Sequence, residues 1–333
     1  MLVDNFDYDL PREAIAQVPL QQRDASRLLV TDPLQDSSFG KLPGFLQAGD
    51  LLVVNATRVR AARLVGRRPS GGAVELLLLA PRGDDWEALA RPARKLTPGQ
   101  ALDFGEVTGE VVALDTGGRV VVHLRGEPTV EAAIARAGSA PYPPYIRSGP
   151  TDPERYQTIY GDRIASAAAP TAGLHFTTEL LGRLKDGGIE LVSIYLNIGL
   201  DTFRPITTSR LEDHVMHSES YEIPPLAARR IAAAKTDGRR IVAVGTTVVR
   251  ALESAASGNA VAVGAGSTDL FIRPGFKPRV VDALVTNFHM PRSSLLVMVA
   301  ALYPGWRRAY AHAVAEGYRF LSFGDAMFIP RLP

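Results

Sequence analysis

The chain has 333 residues, 46% of them hydrophobic and 22% charged, enough to bury a sizeable core in one large domain or two. A formal net charge of +2 excludes whole-protein attraction to a polyanion, so a nucleic-acid partner would have to be held by a local patch. The absence of cysteine excludes disulfides, thiolate nucleophiles and Cys-based zinc sites together.

The opening MLVDNFDYDLP carries three Asp and no basic, apolar pattern, unlike a signal peptide. No stretch approaches the roughly 20 apolar residues of a membrane span. A soluble cytoplasmic protein is expected. DLLVVNATRV, from Asp50, is a continuous apolar run and predicts a strand buried on both faces of an α/β core. The texture then changes. ARLVGR, GAVELLLLA, DWEALARP, EVTGEVVALD and RVVVHLRG are short, β-rich and punctuated by turn residues, which predicts an all-β insertion, a small barrel. A short helix over VEAAIARAG follows, and the Pro-rich APYPPYIRSGPTDP marks a boundary near residue 150. Beyond it, TTELLGRLKDGG reads as a helix with a Gly cap, IELVSIYL as a strand, LAARRIAAAKTDG as a helix, and RRIVAVG as a strand running into the helix TTVVRALESAASG. Alternating strands and helices imply a mainly parallel sheet with flanking helices. The expected division is a discontinuous α/β catalytic domain, 1–58 plus 150–333, interrupted by a barrel-like domain at 59–149.

Several stretches carry residue types suited to chemistry. In SAAAPTAGLHFT (166–177), Gly173 permits a positive-φ turn or a close backbone approach, Pro170 delays the helix, and Thr177 or Thr178 can cap it. His175 is thereby placed on a loop at a helix start, where little core burial is expected; the alternative is a packed structural imidazole. LNIGLDTFRP (196–205) follows a strand, placing Asn197, Asp201, Thr202 and Arg204 where α/β sheets bind ligands. EDHVMHSESY spaces His214 and His217 at i, i+3 with Glu219 beyond, a possible metal triad that lacks the His-Glu-x-x-His signature. AVGTTVVRALE opens a helix after a strand; its N-terminus, with Thr246, Thr247 and Arg250, suits a carboxylate or phosphate, although Arg250 can instead pair with Glu253. VTNFHMPRSSLL repeats that grammar with Asn287, His289 and a Ser293 or Ser294 cap, so the two strand ends suggest one pocket. Asp325 interrupts the apolar LSFGDAMFI, a charge either exposed or purposeful. There is no Walker loop and no Gly-x-Gly-x-x-Gly before a helix. Basic residues cluster at Arg58, Arg60, Arg63, Arg67 and Arg68, at Arg91, Arg94 and Lys95, and at Arg239 with Arg240. Strand alternation puts Arg58 and Arg60 on one face, a phosphate track or a solvated face.

Taken together and in order, FDYDLPREAIAQVPLQQRDASRLLV, GDLLVVNATRVRAARLVG, PPYI, ERYQTIY, AAPTAGLHFT, DTFRP, HVMHSESY, VGTTVVRALES, DLFIRPGF, TNFHMPRSSLLVMVAAL and YRFLSFGDAM resemble the S-adenosylmethionine:tRNA ribosyltransferase-isomerase family of queuosine biosynthesis. The match runs almost end to end. It implies an α/β domain carrying a β-barrel insertion. The implied activity moves the ribosyl part of S-adenosylmethionine onto the 7-aminomethyl-7-deazaguanine base at the tRNA wobble position, giving epoxyqueuosine and releasing adenine and methionine. S-adenosylmethionine would be a co-substrate, with no bound prosthetic group and no metal, and a monomer acting on tRNA away from membranes is expected. Two departures stand out: in LNIGLDTF, Asn197 occupies the place of the common family His and Asp201 that of a common Gly. YGDRIASAAAPTAG is also shorter than usual.

Such chemistry needs a base for a weakly acidic proton beside the sulfonium, an acid to assist adenine departure, and a free amine on the tRNA base. The expected acid–base set is His175, Asp201, His217, Glu219, His289 and Asp325. Thr171, Gly173, Asn197, Thr202 and Asn287 are expected to bind substrate, and Thr246, Thr247 and Arg250 to hold the methionine carboxylate or a tRNA phosphate. Arg58, Arg60, Arg91, Arg94 and Lys95 are expected to meet tRNA. Two other classes remain open: a tRNA-binding module without catalysis, suggested by Asn197, and a metal-dependent hydrolase on His214, His217 and Glu219.

Overall fold

A computed structural model of the chain describes residues 1–147, 149–199, 205–258 and 260–333. Contacts divide it into two compact units, Met1–Arg58 with Pro143–Arg163 and Ala169–Pro333, and Val59–Tyr142 with Ile164–Ala168.

The first unit is built on a nine-stranded sheet. Its middle strands, Leu51–Asn55, Ile241–Val244 and Ala283–Asn287, are wholly buried and pair in parallel, with Glu190–Leu196 parallel on the outer side of the first. Unbroken runs of Val, Leu, Ile and Ala suit strands covered on both faces. Pleating sends Leu52 and Val54, Val242 and Val244, and Ala283 and Val285 into one cluster with Phe39, Phe176 and Leu180. The mainly parallel sheet expected from the sequence is corrected here: the sheet is mixed. Ala326–Ile329 runs antiparallel to Ala283–Asn287, because two consecutive helices, Ser294–Leu302 and Trp306–Ala315, intervene and add one more reversal than a single crossover helix. Arg27–Thr31 pairs parallel to Ala326–Ile329, and Leu34–Ser38 pairs back on it antiparallel. At the other margin Glu219–Ile223 and Gly264–Thr268 are also antiparallel.

The helices form where caps permit. Thr177 Oγ1 accepts from Leu180 N at 3.1 Å to start Thr178–Asp186, and Ser293 Oγ accepts from Leu296 N at 3.2 Å to start Ser294–Leu302. Gly245, at φ 95°, begins Thr246–Ala255; that backbone region disfavours any side chain. No described helix is long and apolar enough to cross a membrane.

The second unit contains a closed barrel of six strands. Asp85–Arg91 alternates half-buried and buried residues, and the inward set includes Leu64, Leu76, Trp86, Ala88, Leu102 and Val122. Thr129 caps the helix Val130–Ala137, whose Ala133 and Ile134 join the same core.

Candidate active site

In parallel sheets the carboxyl ends of strands leave backbone N–H groups and loop side chains facing a common crevice. A partly enclosed cavity of the first unit lies there, about 630 Å³ including its open mouth. Thr246 and Thr247 enter from the helix after Ile241–Val244, Thr286, Asn287 and His289 from the end of Ala283–Asn287, and Thr171 from the turn before His175. Ala169, Pro170, Ile198, Phe288 and Leu295 supply apolar walls. Its described lining contains no Asp, Glu, Lys or Arg. A charged ligand group would therefore meet no counter-ion from these walls, whereas a flat, neutral ring would meet matching surfaces.

Two buried oxygens in this lining have no hydrogen-bond partner among the described residues: Asn287 Oδ1 and Thr247 Oγ1. Buried polar atoms left unpaired are unusual and mark places where a ligand can supply the missing bond. The Asn287 orientation is set by its neighbours. Its Nδ2 lies 3.1 Å from Leu321 O, a carbonyl that can only accept, and 3.2 Å from His175 Nε2. Nε2 must then accept, so the imidazole proton sits on Nδ1, which meets Ser26 Oγ at 2.7 Å; that hydroxyl donates onward to Arg23 O at 3.3 Å.

His175 is thus no open loop residue. It is 5% exposed and its ring stacks on Phe39, centroids 4.8 Å apart. The expectation of little core burial is corrected: the turn Thr171–His175 tucks the ring under Phe39. Burial, reinforced by the Arg319 and Arg23 guanidiniums, lowers its pKa from 6.5 to about 3. His289, 8% exposed, is lowered to about 3 by burial alone. Its Nε2 meets Thr286 Oγ1 at 2.9 Å. Both imidazoles are neutral near pH 7.

Gly173 serves a close approach rather than a positive φ: a Cβ there would stand 2.1 Å from Tyr160 Oη. Arg250, expected at an anion, is 2% exposed and bonds the Glu219 carboxylate, with Nε on Leu270 O at 3.2 Å and a terminal nitrogen on Thr268 O at 3.2 Å. Its alternative partner, Glu253, instead accepts from the backbone N–H groups of Arg279, Val280 and Val281 at 2.9–3.0 Å. Burial alone would raise the Glu219 carboxyl, but His217 and Arg250 outweigh it and hold the group below its ordinary range. His217 Nε2 lies 3.3 Å from Glu219 Oε1, and Gly199 N donates to the same oxygen at 2.8 Å. His214 packs edge-on against Phe271 instead. Among the described residues no group of three or more His, Cys, Asp or Glu gathers as metal ligands.

Asp325 is buried and purposeful in a structural sense: its two oxygens accept from Arg27 N and Arg319 N, each at 2.8 Å, outside the cavity lining. Burial raises its carboxyl despite those bonds. Asn197 donates to Ser220 Oγ at 2.9 Å, also outside the lining. Asp201 and Thr202 lie outside the described residues.

A family model described as "queuosine biosynthesis protein" matches residues 3–329. The chain belongs to that family. Among the relatives of this queuosine biosynthesis family member, a protein of Heliobacterium modesticaldum is 51% identical over 99% of this chain and 100% of its own length. One of Gloeobacter violaceus is 50% identical over 98% and 96%. Both are named S-adenosylmethionine:tRNA ribosyltransferase-isomerase. A crystal structure of S-adenosylmethionine tRNA ribosyltransferase from Thermotoga maritima matches with TM-score 0.55 and 35% identity, covering 97% of this chain and 99% of that one.

Sequence reasoning passed over Ser26, Thr286, Tyr145 and Ser322. Thr286 was findable as a polar residue inside an otherwise apolar buried strand. Ser26 carries no such signal, since its partner His175 lies 149 positions away. Tyr145 Oη and Ser322 Oγ, 2.7 Å apart, lie 177 positions apart in sequence, and both residues line the cavity.

Proposed function

We propose that this chain is a tRNA-modifying transferase-isomerase. It moves the ribosyl part of S-adenosylmethionine onto the 7-aminomethyl-7-deazaguanine base of tRNA, forms epoxyqueuosine, and releases adenine and methionine. Membership in a family whose relatives carry that name over their full length supports the reaction. The single structural observation that supports the placement is the neutral, largely apolar cavity at the strand ends, whose lining includes two unpaired buried oxygens.

In this reading a base of the substrates lies against the apolar walls, with Thr171, Thr246, Thr247 and Asn287 around it. His289, the one imidazole in the described lining, is neutral near pH 7, since burial disfavours its charged form, and offers a hydrogen-bond acceptor to the ligand. Its Nε2–H can be held by Thr286, whose hydroxyl donates to Asn287 O at 3.4 Å, leaving Nδ1 as the accepting atom. His175 stands one residue back from the ligand and acts through Asn287. Glu219, Arg250 and His217 brace the neighbouring strand end, and Asp325 a loop.

For tRNA, Arg91, Arg94 and Lys95 are the better supported groups, since all three lie at the surface of the barrel unit. Arg58 grips Glu154 through two bonds of 2.6 and 2.8 Å. Arg60 lies over the Trp86 ring at 4.7 Å and pairs with Glu131 at 3.4 Å. A cytoplasmic monomer without a prosthetic group, and a barrel unit acting as a separate insertion domain, complete the proposal. The test is adenine release from S-adenosylmethionine in the presence of tRNA bearing the aminomethyl base; a folded protein that releases none, with both substrates bound, sinks the assignment.

A further inference from the structure

Asn287 lines the cavity, and of the two polar atoms of its amide the oxygen has no hydrogen-bond partner among the described residues. Both Nδ2 hydrogens are committed, one to Leu321 O and one to His175 Nε2. The residue is 2% exposed, so the amide cannot turn toward bulk water, and turning it in place would set Oδ1 against the Leu321 carbonyl. The unpaired Oδ1 is therefore an acceptor and nothing else. It needs a ligand group that donates. A cationic ammonium is a poor match, because no carboxylate belongs to the described lining to balance it. A neutral N–H on a planar ring fits both the acceptor and the apolar walls of Pro170, Ile198 and Phe288.

We propose that Asn287 Oδ1 is a specificity determinant that accepts a hydrogen bond from the exocyclic amino group of a purine-like base, and that Ser26 and His175 are positioning residues that hold the amide in that orientation. The proposal rests on the function argued above and names the atom that selects the base. The relay has fixed polarity. Carbonyl oxygens close both ends, Arg23 O beyond Ser26 and Leu321 O beside Asn287, so the proton must sit on His175 Nδ1. Neutrality of the ring, enforced by burial and by two nearby guanidiniums, preserves Nε2 as the acceptor that Asn287 requires. A protonated His175 would turn a donor toward the Asn287 amide and favour the opposite, non-selective orientation. Two bases among the substrates carry such an amino group, the adenine of S-adenosylmethionine and the 7-deazaguanine of the tRNA.

The experiment is equilibrium binding, independent of turnover, in two arms. The first compares S-adenosylmethionine with its analogue bearing hypoxanthine in place of adenine. The second compares free 7-aminomethyl-7-deazaguanine with its counterpart lacking the 2-amino group. The unsubstituted protein is expected to favour the amino-bearing ligand by about ten-fold or more in one arm, the usual effect of leaving a buried acceptor unpaired. Asn287→Ala should remove that preference by weakening the amino-bearing ligand alone. Ser26→Ala, at a residue outside the cavity lining, should reduce the preference by a smaller factor, a change that loss of packing alone would not confine to one analogue. Discrimination in the first arm assigns the adenine; in the second, the tRNA base. No discrimination in either arm by the unsubstituted protein overturns the proposal whether or not any variant folds, and so does full discrimination retained by folded Asn287→Ala. Full discrimination retained by folded Ser26→Ala overturns the positioning role. Failure of the proposed reaction would appear instead as absent adenine release with these binding preferences intact.

Discussion

Two buried polar clusters sit at strand ends of the same unit, and they differ in charge and in how far their polar atoms are bonded. The Glu219–Arg250 cluster contains full charges, yet its ions bond each other, and among the described residues His217, Gly199 N and two backbone carbonyls are further partners. The Asn287–Thr247 cluster contains no charge, yet two of its oxygens lack a bond among the described residues. The charged residues of a conspicuous motif therefore bond one another, while residues with neutral amides and hydroxyls line the cavity. A buried ion pair satisfies itself; an unpaired buried oxygen is kept only if something else satisfies it.

The largest effect that can test this contrast comes from the closed cluster. Arg250→Met should lower folding stability by about 3–5 kcal/mol, because it strands the Glu219 carboxylate in the interior. Denaturant unfolding reads it directly, and a loss below about 1 kcal/mol would mean that the pair is less closed than its geometry implies.

Acid separates the clusters next. His175 and His289 have folded pKa values near 3 against an ordinary 6.5, so their contribution to stability is complete above about pH 6.5. It is lost as pH falls toward 3, since the unfolded chain binds their protons first. Each group can contribute a slope of at most about 1.4 kcal/mol per pH unit in that window. Glu219, held below its ordinary 4.5, contributes fully above that value and loses its contribution only as pH falls further. Melting curves of the parent and His289→Asn between about pH 7.5 and 5 should show a flatter dependence in the variant, by about one proton; parallel curves would contradict a neutral, buried His289.

On the cavity side, Thr247→Val should change stability by less than about 0.5 kcal/mol, since the hydroxyl it removes makes no protein bond among the described residues. Ligand affinity is where the change should appear. Equal S-adenosylmethionine and base binding in this variant would show that the hydroxyl is not used.

The smallest effect concerns the arginines proposed to meet tRNA, where the same distinction between engaged and unengaged groups applies. Arg91→Ala with Arg94→Ala should flatten the salt dependence of tRNA binding by about one unit of log–log slope for each phosphate left without its cation, somewhat less on single strand. Arg58→Ala should leave that slope unchanged, because its guanidinium already holds Glu154. A flatter slope for Arg58→Ala and not for the barrel pair would reverse this placement.

Local sequence determined what depends on near neighbours. Unbroken apolar runs such as LLVVN and IVAV specify strands covered on both faces, a Thr or Ser before an apolar period specifies a helix start, and short alternating segments divided by turn residues specify the barrel. Family membership, too, was legible from ordered segments spread along the chain. Tertiary structure alone decided which polar groups meet. No periodicity tells that Arg250 reaches Glu219 rather than Glu253, that Ser26 finds His175 across 149 positions, or that two helices in succession turn Ala326–Ile329 antiparallel. The physical reason is that a hydrogen bond or ion pair is fixed by distance and direction in space to within a few tenths of an ångström, whereas sequence spacing constrains direction only within one turn of helix or one strand. Function at this site hangs on that difference: a cavity whose described lining holds no lysine or carboxylate, and includes a residue with an unpaired buried amide oxygen, is a property of packing, and only the folded chain has it.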